Sequence, residues 1–256
     1  MLPITDLARM PYAEAYAAQL AAHAEVLAAR EAGNPEIGRL LLVEHDPPVI
    51  TISRRPGARA HLLASDELLA RHGVTLAETD RGGDITYHGP GKLVVYPIID
   101  LNHLKLGLHD YMRLLEAAVI DTCARFGITA ERDASATGVW VAGTQPLINA
   151  DERGSNQPSS LNPCPSVFIS DHSAKICAMG VRVRRWVTLH GLALNVTTNL
   201  DHFNPIVPCG LAGRPVTSLQ QLIGPRCPSM PEVKHALTTA LSNHLHRAAK
   251  SSISHG

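Results

Sequence analysis

Residues 92–101 read KLVVYPIIDL, an apolar run with the β-branched content of a strand buried on both faces. A strand of this kind sits inside a sheet covered on each side, so the remainder of the chain has to supply flanking helices. Residues 12–31 (YAEAYAAQLAAHAEVLAARE) are Ala-rich with apolar positions three and four apart, and Gly33, Asn34 and Pro35 then stop the helix. HDYMRLLEAAVIDTCARFG carries the same periodicity and ends at a glycine. A short helix is expected between Ser65 and His72, with Ser65 as its N-cap and Asp66 and Glu67 in the first turn, where the helix dipole favours acids. Leu68 stands where a full capping box would place Glu or Gln.

Other stretches read as strands. LLLVEHDPPVITI is two short strands around a Pro-Pro turn, and GVWVAG is another. In KICAMGVRVRRWVTLHGLALNVTT, Val181, Val183 and Trp186 interleave with Arg182, Arg184 and Arg185, and a His-Gly interruption leads to a second run ending at Asn195. This is expected to be a hairpin with charges on one face, broken at the His-Gly pair. Residues 143–173 carry Ser, Asn, Gly and Pro at the density of a flexible loop, longer than the ~12 to 15 residues at which structureless loops become unusual, and read as an insertion. The final SSISHG reads as a frayed tail. Strands and helices are mixed without βαβ regularity, so the expected class is α+β, a mixed sheet flanked by helices in a single domain over residues 1–256.

Charge narrows the function. Lysine plus arginine (23) equals aspartate plus glutamate (23), so no global basic field argues for nucleic acid. The five cysteines are an odd number without a CxxC pair, which points to a reducing, cytoplasmic setting. No apolar run approaches the roughly 18 to 20 residues of a membrane span.

Residues 81–92, RGGDITYHGPGK, gather four glycines and a proline around Arg81, Tyr87 and His88. The spacing is neither that of a phosphate loop nor that of a dinucleotide fingerprint, and a strand-turn-strand between Arg81 and His88 suggests the wall of a groove for an extended apolar or amide-bearing substrate. Cys209 lies in NPIVPCGLAGRPVTSL between a proline and Gly210. Such a thiol is either a small buried hydrophobe or a nucleophile beside bared backbone donors, and the rigid flanks favour the second. A thiol of pKa ~8.5 needs a cation or base to work near neutrality, and Lys175, opening the apolar stretch KICAMG, is the candidate, against its plain reading as a solvated strand end. His45, His88 and His190 are scattered without HxxxH spacing, so no metal is expected; His88 and His190 sit beside glycines and are candidates to line a shared cleft.

RGGDITYHGPGKLVVYPIIDL, KICAMGVRVRRWVTLHGLALNV and NPIVPCGLAGRPVTSL together, in this order, resemble the octanoyltransferases of lipoate biosynthesis, over about residues 12–223. The resemblance implies an α+β fold shared with biotin and lipoate protein ligases, and transfer of octanoyl (or lipoyl) from acyl carrier protein to a lysine of a lipoyl domain, such as those of the 2-oxoacid dehydrogenase complexes or the glycine cleavage H protein. No cofactor and no ATP are implied. By position the nucleophile falls on Cys209 and its activating lysine on Lys175. Acyl binding falls on Arg81, Gly82, Gly83, Asp84, Ile85, Thr86, Tyr87 and His88, on Ala178, Met179 and Gly180, and on Gly191, Leu192 and Ala193. The bared backbone of RGGDITYHG would then lie along the acyl chain and thioester.

The chain departs from that pattern in three places. Lys92 stands where glutamine is usual, Ser53 where glycine is common, and residues 143–173 lengthen a normally short connection. Two rival readings remain at this point: an ATP-dependent ligase on the same fold, which would not need a nucleophilic cysteine, and a non-catalytic acyl-binding protein whose thiol is unused.

Overall fold

A computed structural model describes residues 2–142, 173–208 and 214–253. In chain order it contains β1 (Ile4–Met10), α1 (Tyr12–Glu31), β2 (Gly38–His45), β3 (Val49–Ser53), α2 (Asp66–Arg71), β4 (Thr75–Thr79), β5 (Ile85–His88) and β6 (Lys92–Ile99). There follow α3 (Leu101–Leu104), α4 (Leu108–Arg125), β7 (Glu131–Arg132), β8 (Val139–Val141), β9 (Ala174–Arg184), β10 (Val187–Asn195), α5 (Leu219–Ile223) and α6 (Met230–Ile253). A 7-stranded sheet has the order β1-β2-β6-β10-β9-β8-β7, and a 3-stranded sheet the order β4-β3-β5. Both sheets are mixed: β1 runs parallel to β2 and β4 parallel to β3, while the other pairs are antiparallel.

The strand that most constrained the fold behaves as its composition demands. Every residue of β6 is buried. Leu93 and Val95 join Leu40, Leu42, Leu192 and Leu194 in a core closed by Tyr111 and Leu115 of α4 and Leu237 and Leu241 of α6. Val94 and Tyr96 point the other way, into a second core with Ala15, Ala22 and Val26 of α1. One strand thus stitches two layers together, because alternate side chains leave opposite faces of the pleat. α1 begins and ends where its composition indicates, with Gly33 in the left-handed region at φ 76°. Ser65 caps α2, its hydroxyl accepting the Leu68 N–H at 3.3 Å.

Two sequence expectations change, and one strand has no sequence reading. The hairpin turns at Arg185 and Trp186, both left-handed (φ 54° and 64°), and the His190-Gly191 pair lies inside β10. A two-residue turn with positive φ at both positions normally takes Asn or Gly. Here long-range contacts hold it: Arg30 donates to the Arg185 carbonyl at 2.9 Å, Leu101 N–H donates to the Trp186 carbonyl at 2.9 Å, and Arg185 pairs with Glu31. β1 carries no readable pattern because it is an edge strand whose side chains are mostly solvated. α6 continues through Ser251, Ser252 and Ile253, so the tail expected from residue 251 is helical at its start, and residues 254–256 lie outside the described residues. The insertion at 143–173 also lies outside them, except for Ser173. Among the described residues no helix is long and apolar enough to cross a membrane.

Candidate active site

The small sheet has two unlike faces. Ile50 and Ile52 of β3 pair with Tyr87 and Ile85 of β5, and all four pack into a core with Leu69 and Phe203. The residues between them, Thr51, Thr86 and His88, point oppositely, towards the α1 side of the large sheet, and line a cavity there. From the large sheet come Val94, Tyr96, Ala178, Met179, Gly180, His190, Gly191, Leu192 and Ala193, and Tyr12, Arg81 and Gly83 complete the wall. The space is narrow, ≈ 40 Å³, and mostly apolar.

The structure therefore brings three separated blocks of candidate residues to one cavity, and sorts within them. Arg81, Gly83, Thr86, His88, Ala178, Met179, Gly180, Gly191, Leu192 and Ala193 line it. Ile85 and Tyr87 belong to the opposite face of β5, where the Tyr87 hydroxyl meets His202 Nδ1 at 2.5 Å. Asp84 is buried and accepts a hydrogen bond from His61 Nδ1 at 2.7 Å. Gly82 docks the loop onto β9, its N–H donating to the Val181 carbonyl at 3.2 Å. A Cβ on Gly180 would come within 2.4 Å of the Gly82 carbonyl oxygen, and one on Gly191 within 2.3 Å of the Val95 carbonyl oxygen, so these glycines let backbones touch. Arg81 braces the same loop, donating to the Thr51 and Asp84 carbonyls at 3.0 Å each.

Tyr12, Thr51, Val94 and Tyr96 were not legible as site residues. Their signal would have been the cross-strand pairing of Thr51 with Thr86 and of Val94 with Ala193, which no local pattern reveals. The two unusual residues have structural work: Ser53 donates its hydroxyl to the Gly83 carbonyl at 2.8 Å, and buried Lys92 donates Nζ to the Tyr87 carbonyl at 2.7 Å while lying 4.8 Å from the Phe203 ring centre.

His88 and His190 line the cavity as neutral imidazoles, both lowered chiefly by burial, and the His45 ring lies 5.5 Å from that of His88. His45 Nε2 meets the Tyr96 hydroxyl at 2.6 Å, and burial brings His45 down to about 4. Burial likewise pushes His88 well below its ordinary value, helped by the neighbouring charge of Lys92. His88 Nδ1 and Thr86 Oγ1 are buried without a hydrogen-bond partner among the described residues, which leaves two polar atoms on the wall able to meet a ligand or its water.

Lys175 is buried at the start of β9, three positions before Ala178 of the cavity wall. Its N–H donates to the Pro215 carbonyl and its carbonyl accepts from Thr217 N–H, both at 2.9 Å, so the strand is tied to the segment that resumes after residue 213. Cys209 lies outside the described residues. The ammonium of Lys175 is 4.6 Å from the centre of the Trp140 ring, and Arg214 lies 3.7 Å from the same centre. Arg214 is in turn held by Asp133, whose carboxyl that hydrogen bond keeps well below the usual carboxylate range, and by the Ser173 hydroxyl at 3.1 Å. Gly138 has φ +121° and passes close to Lys175, where a Cβ would lie 3.5 Å from the lysine Cε.

Trp140 is thus the platform under two cations. Trp140→Ala is expected to cost about 3 to 5 kcal/mol, and Trp140→Phe markedly less, because phenylalanine keeps most of the buried area and a ring face. Urea denaturation reads both; a cost under about 1 kcal/mol for alanine would show that the ring carries no packing load.

The described thiols are poor nucleophiles. Burial pushes Cys123 and Cys177 up to about 12 and raises Cys227 as well.

Comparison with known proteins agrees with this geometry. Residues 15–242 match the family model of the lipoyl protein ligase A/B catalytic domain. The chain is 42% identical to an octanoyltransferase of Bacteroides fragilis over 91% of this chain and 93% of that protein. Among solved structures, it superposes on a bipartite lipoate protein ligase from Thermoplasma acidophilum with a TM-score of 0.63 and 18% identity, covering 96% of this chain and 84% of the other. A biotin protein ligase from Aquifex aeolicus in complex with biotin and ATP gives a TM-score of 0.51 and 11% identity, covering 98% and 73%. At these identities the two structures speak for the fold.

Proposed function

The chain belongs to the lipoyl protein ligase A/B catalytic-domain family, among its octanoyltransferases, and on that premise we propose that it moves an octanoyl group from acyl carrier protein, through a Cys209 thioester, to a lysine of a lipoyl domain. The observation that carries this reading is the largely apolar cavity lined by Ala178, Met179 and Gly180 of β9, the strand that opens with buried Lys175 three positions earlier.

In the first half-reaction the Cys209 thiolate attacks the donor's thioester carbonyl, and the carrier thiolate leaves and takes up a proton from the Lys175 ammonium, which becomes the neutral amine. The acyl-enzyme is itself a thioester, so the exchange is near balance and needs no ATP. In the second, the acceptor lysine's neutral amine attacks the acyl-enzyme carbonyl, Cys209 sulfur departs, and an amide forms, which makes the step downhill. The Lys175 ammonium steadies the thiolate, and its neutral amine receives the proton the acceptor amine sheds. Backbone N–H groups beside Cys209 would stabilise the oxyanion, a contribution of roughly 3 to 4 kcal/mol per donor in comparable sites. Free Cys123, Cys177 and Cys227 agree with a reducing, cytoplasmic setting.

Incubation with octanoyl-acyl carrier protein in the absence of ATP, followed by intact-mass measurement, tests the reading. The expected result is one covalent octanoyl group, discharged on adding a lipoyl domain. Acceptor acylation that requires ATP and free octanoate would instead make the chain a ligase, and tight binding without any adduct would make it an acyl-binding protein.

A further inference from the structure

The register of the hairpin gives the cavity a direction. Ala193 pairs with Ala178, Gly191 with Gly180 and His190 with Val181, so the cavity runs along β10 from Ala193, nearest Lys175, to His190 at the far end. Three residues of strand span about 10 Å. An extended chain covers about 3.3 to 3.6 Å per three bonds, so the seven carbon–carbon bonds of an octanoyl group need about 8 Å, and the nine of a decanoyl group about 10 to 11 Å. The first is shorter than that span, and the second uses all of it and meets His190.

His190 is built to stay where it is. It is left-handed inside a strand, at φ 60°, a conformation that a side chain bearing residue holds only when its surroundings impose it. Its N–H donates to the Oε1 of Gln19, a fully buried glutamine of α1, at 2.9 Å. Its Nε2–H donates to Asp80 at 2.8 Å, and the other Asp80 oxygen pairs with Arg182, also at 2.8 Å. Tyr16 stacks on the ring at 5.6 Å with 7° between the planes. On the β10 side the lining passes from Ala193 to His190, the one member of this polar knot that lines the cavity. An apolar chain growing past eight carbons has to break a buried hydrogen bond to go further.

We propose that His190, held by Asp80, Arg182 and Tyr16, is the end wall that sets acyl-chain length at about eight carbons. Asp80 is then a positioning residue acting through the ring. The inference rests on the acyl-transfer reading for its chemistry, although the wall itself is a property of the cavity.

His190→Gly removes the ring and tolerates the left-handed backbone. Wild-type and variant protein are compared in the rate of acylation by hexanoyl, octanoyl, decanoyl and dodecanoyl thioesters, and in the melting shift produced by the corresponding free fatty acids. The expected result is that the decanoyl-to-octanoyl ratio of kcat/KM rises at least ~10-fold, the scale on which pockets discriminate by methylenes, with the melting shift moving the same way. Asp80→Asn, which keeps the ring but loosens it, is expected to move both readouts less and in the same direction, and serves where His190→Gly does not fold. A folded His190→Gly with the wild-type chain-length profile overturns the proposal. So does a variant that binds every fatty acid as before but is acylated by none, since the ring would then serve chemistry. A wild type that is stabilised best by octanoate yet never acylated would refute the transferase reading and leave the wall standing.

Discussion

Cys209→Ala is expected to abolish both the octanoyl adduct and transfer, with a loss on the order of 10^4-fold or more, since deleting the nucleophile of another acyl-transferring enzyme costs about 2 × 10^6 in kcat. The physical ground is the state of the other described thiols. Cys177 and Cys123 are buried, and the lack of solvent pushes both up to about 12, so near neutrality they are almost entirely thiol. Cys177→Ala and Cys227→Ala are accordingly expected to keep most of the activity at some cost in stability for the buried site. Intact mass after incubation with octanoyl-acyl carrier protein reads the adduct, and a lipoyl-domain acylation assay reads transfer. Substantial turnover by Cys209→Ala would sink the assignment, and an equal loss in Cys177→Ala would move the search for the nucleophile to β9.

Lys175→Ala is expected to lower transfer by about 10^2- to 10^4-fold, the usual yield of a positioned acid or base. Arginine separates its two roles. Lys175→Arg keeps a cation that can lie against Trp140, so part of the thiolate population should survive, whereas a guanidinium is effectively never deprotonated and cannot take the proton of the incoming amine. Thiol alkylation as a function of pH reports the first role. Single-turnover transfer from pre-acylated enzyme reports the second and should be slow in both variants. Wild-type behaviour of arginine in both assays would reduce Lys175 to an electrostatic partner, and wild-type behaviour of alanine would make it a structural lysine, tied to Pro215 and Thr217 through its backbone and resting on Trp140.

Much of the site was readable as blocks and little of it as side chains. The stretch from Arg81 to His88 is contiguous in sequence, yet β5 turns alternate residues apart: Thr86 and His88 face the cavity while Ile85 and Tyr87 face the core with Phe203. Period-two alternation is predictable, but its phase depends on which face of β3 meets the large sheet. The glycines were read as bared backbone for a ligand. In the structure Gly82 and Gly180 serve first to bring two backbones into contact, a role that exists only once the loop has folded onto β9.

By itself the sequence determined what is set by neighbours a few residues away: the extent of α1, the N-cap of α2 at Ser65, the two-sided burial of β6, and the pairing of two runs into a hairpin. Apolar period, caps and breakers act locally, so they are written in order along the chain. Only the tertiary structure decided where that hairpin turns, because Arg30, Glu31 and Leu101 hold Arg185 and Trp186 left-handed from distant positions. It alone put Tyr12, Thr51 and Tyr96 on the cavity wall and Trp140 and Arg214 beside Lys175. Those contacts join residues far apart in the chain, and their energy is gained only after the intervening segments have closed into place, so no local pattern carries them.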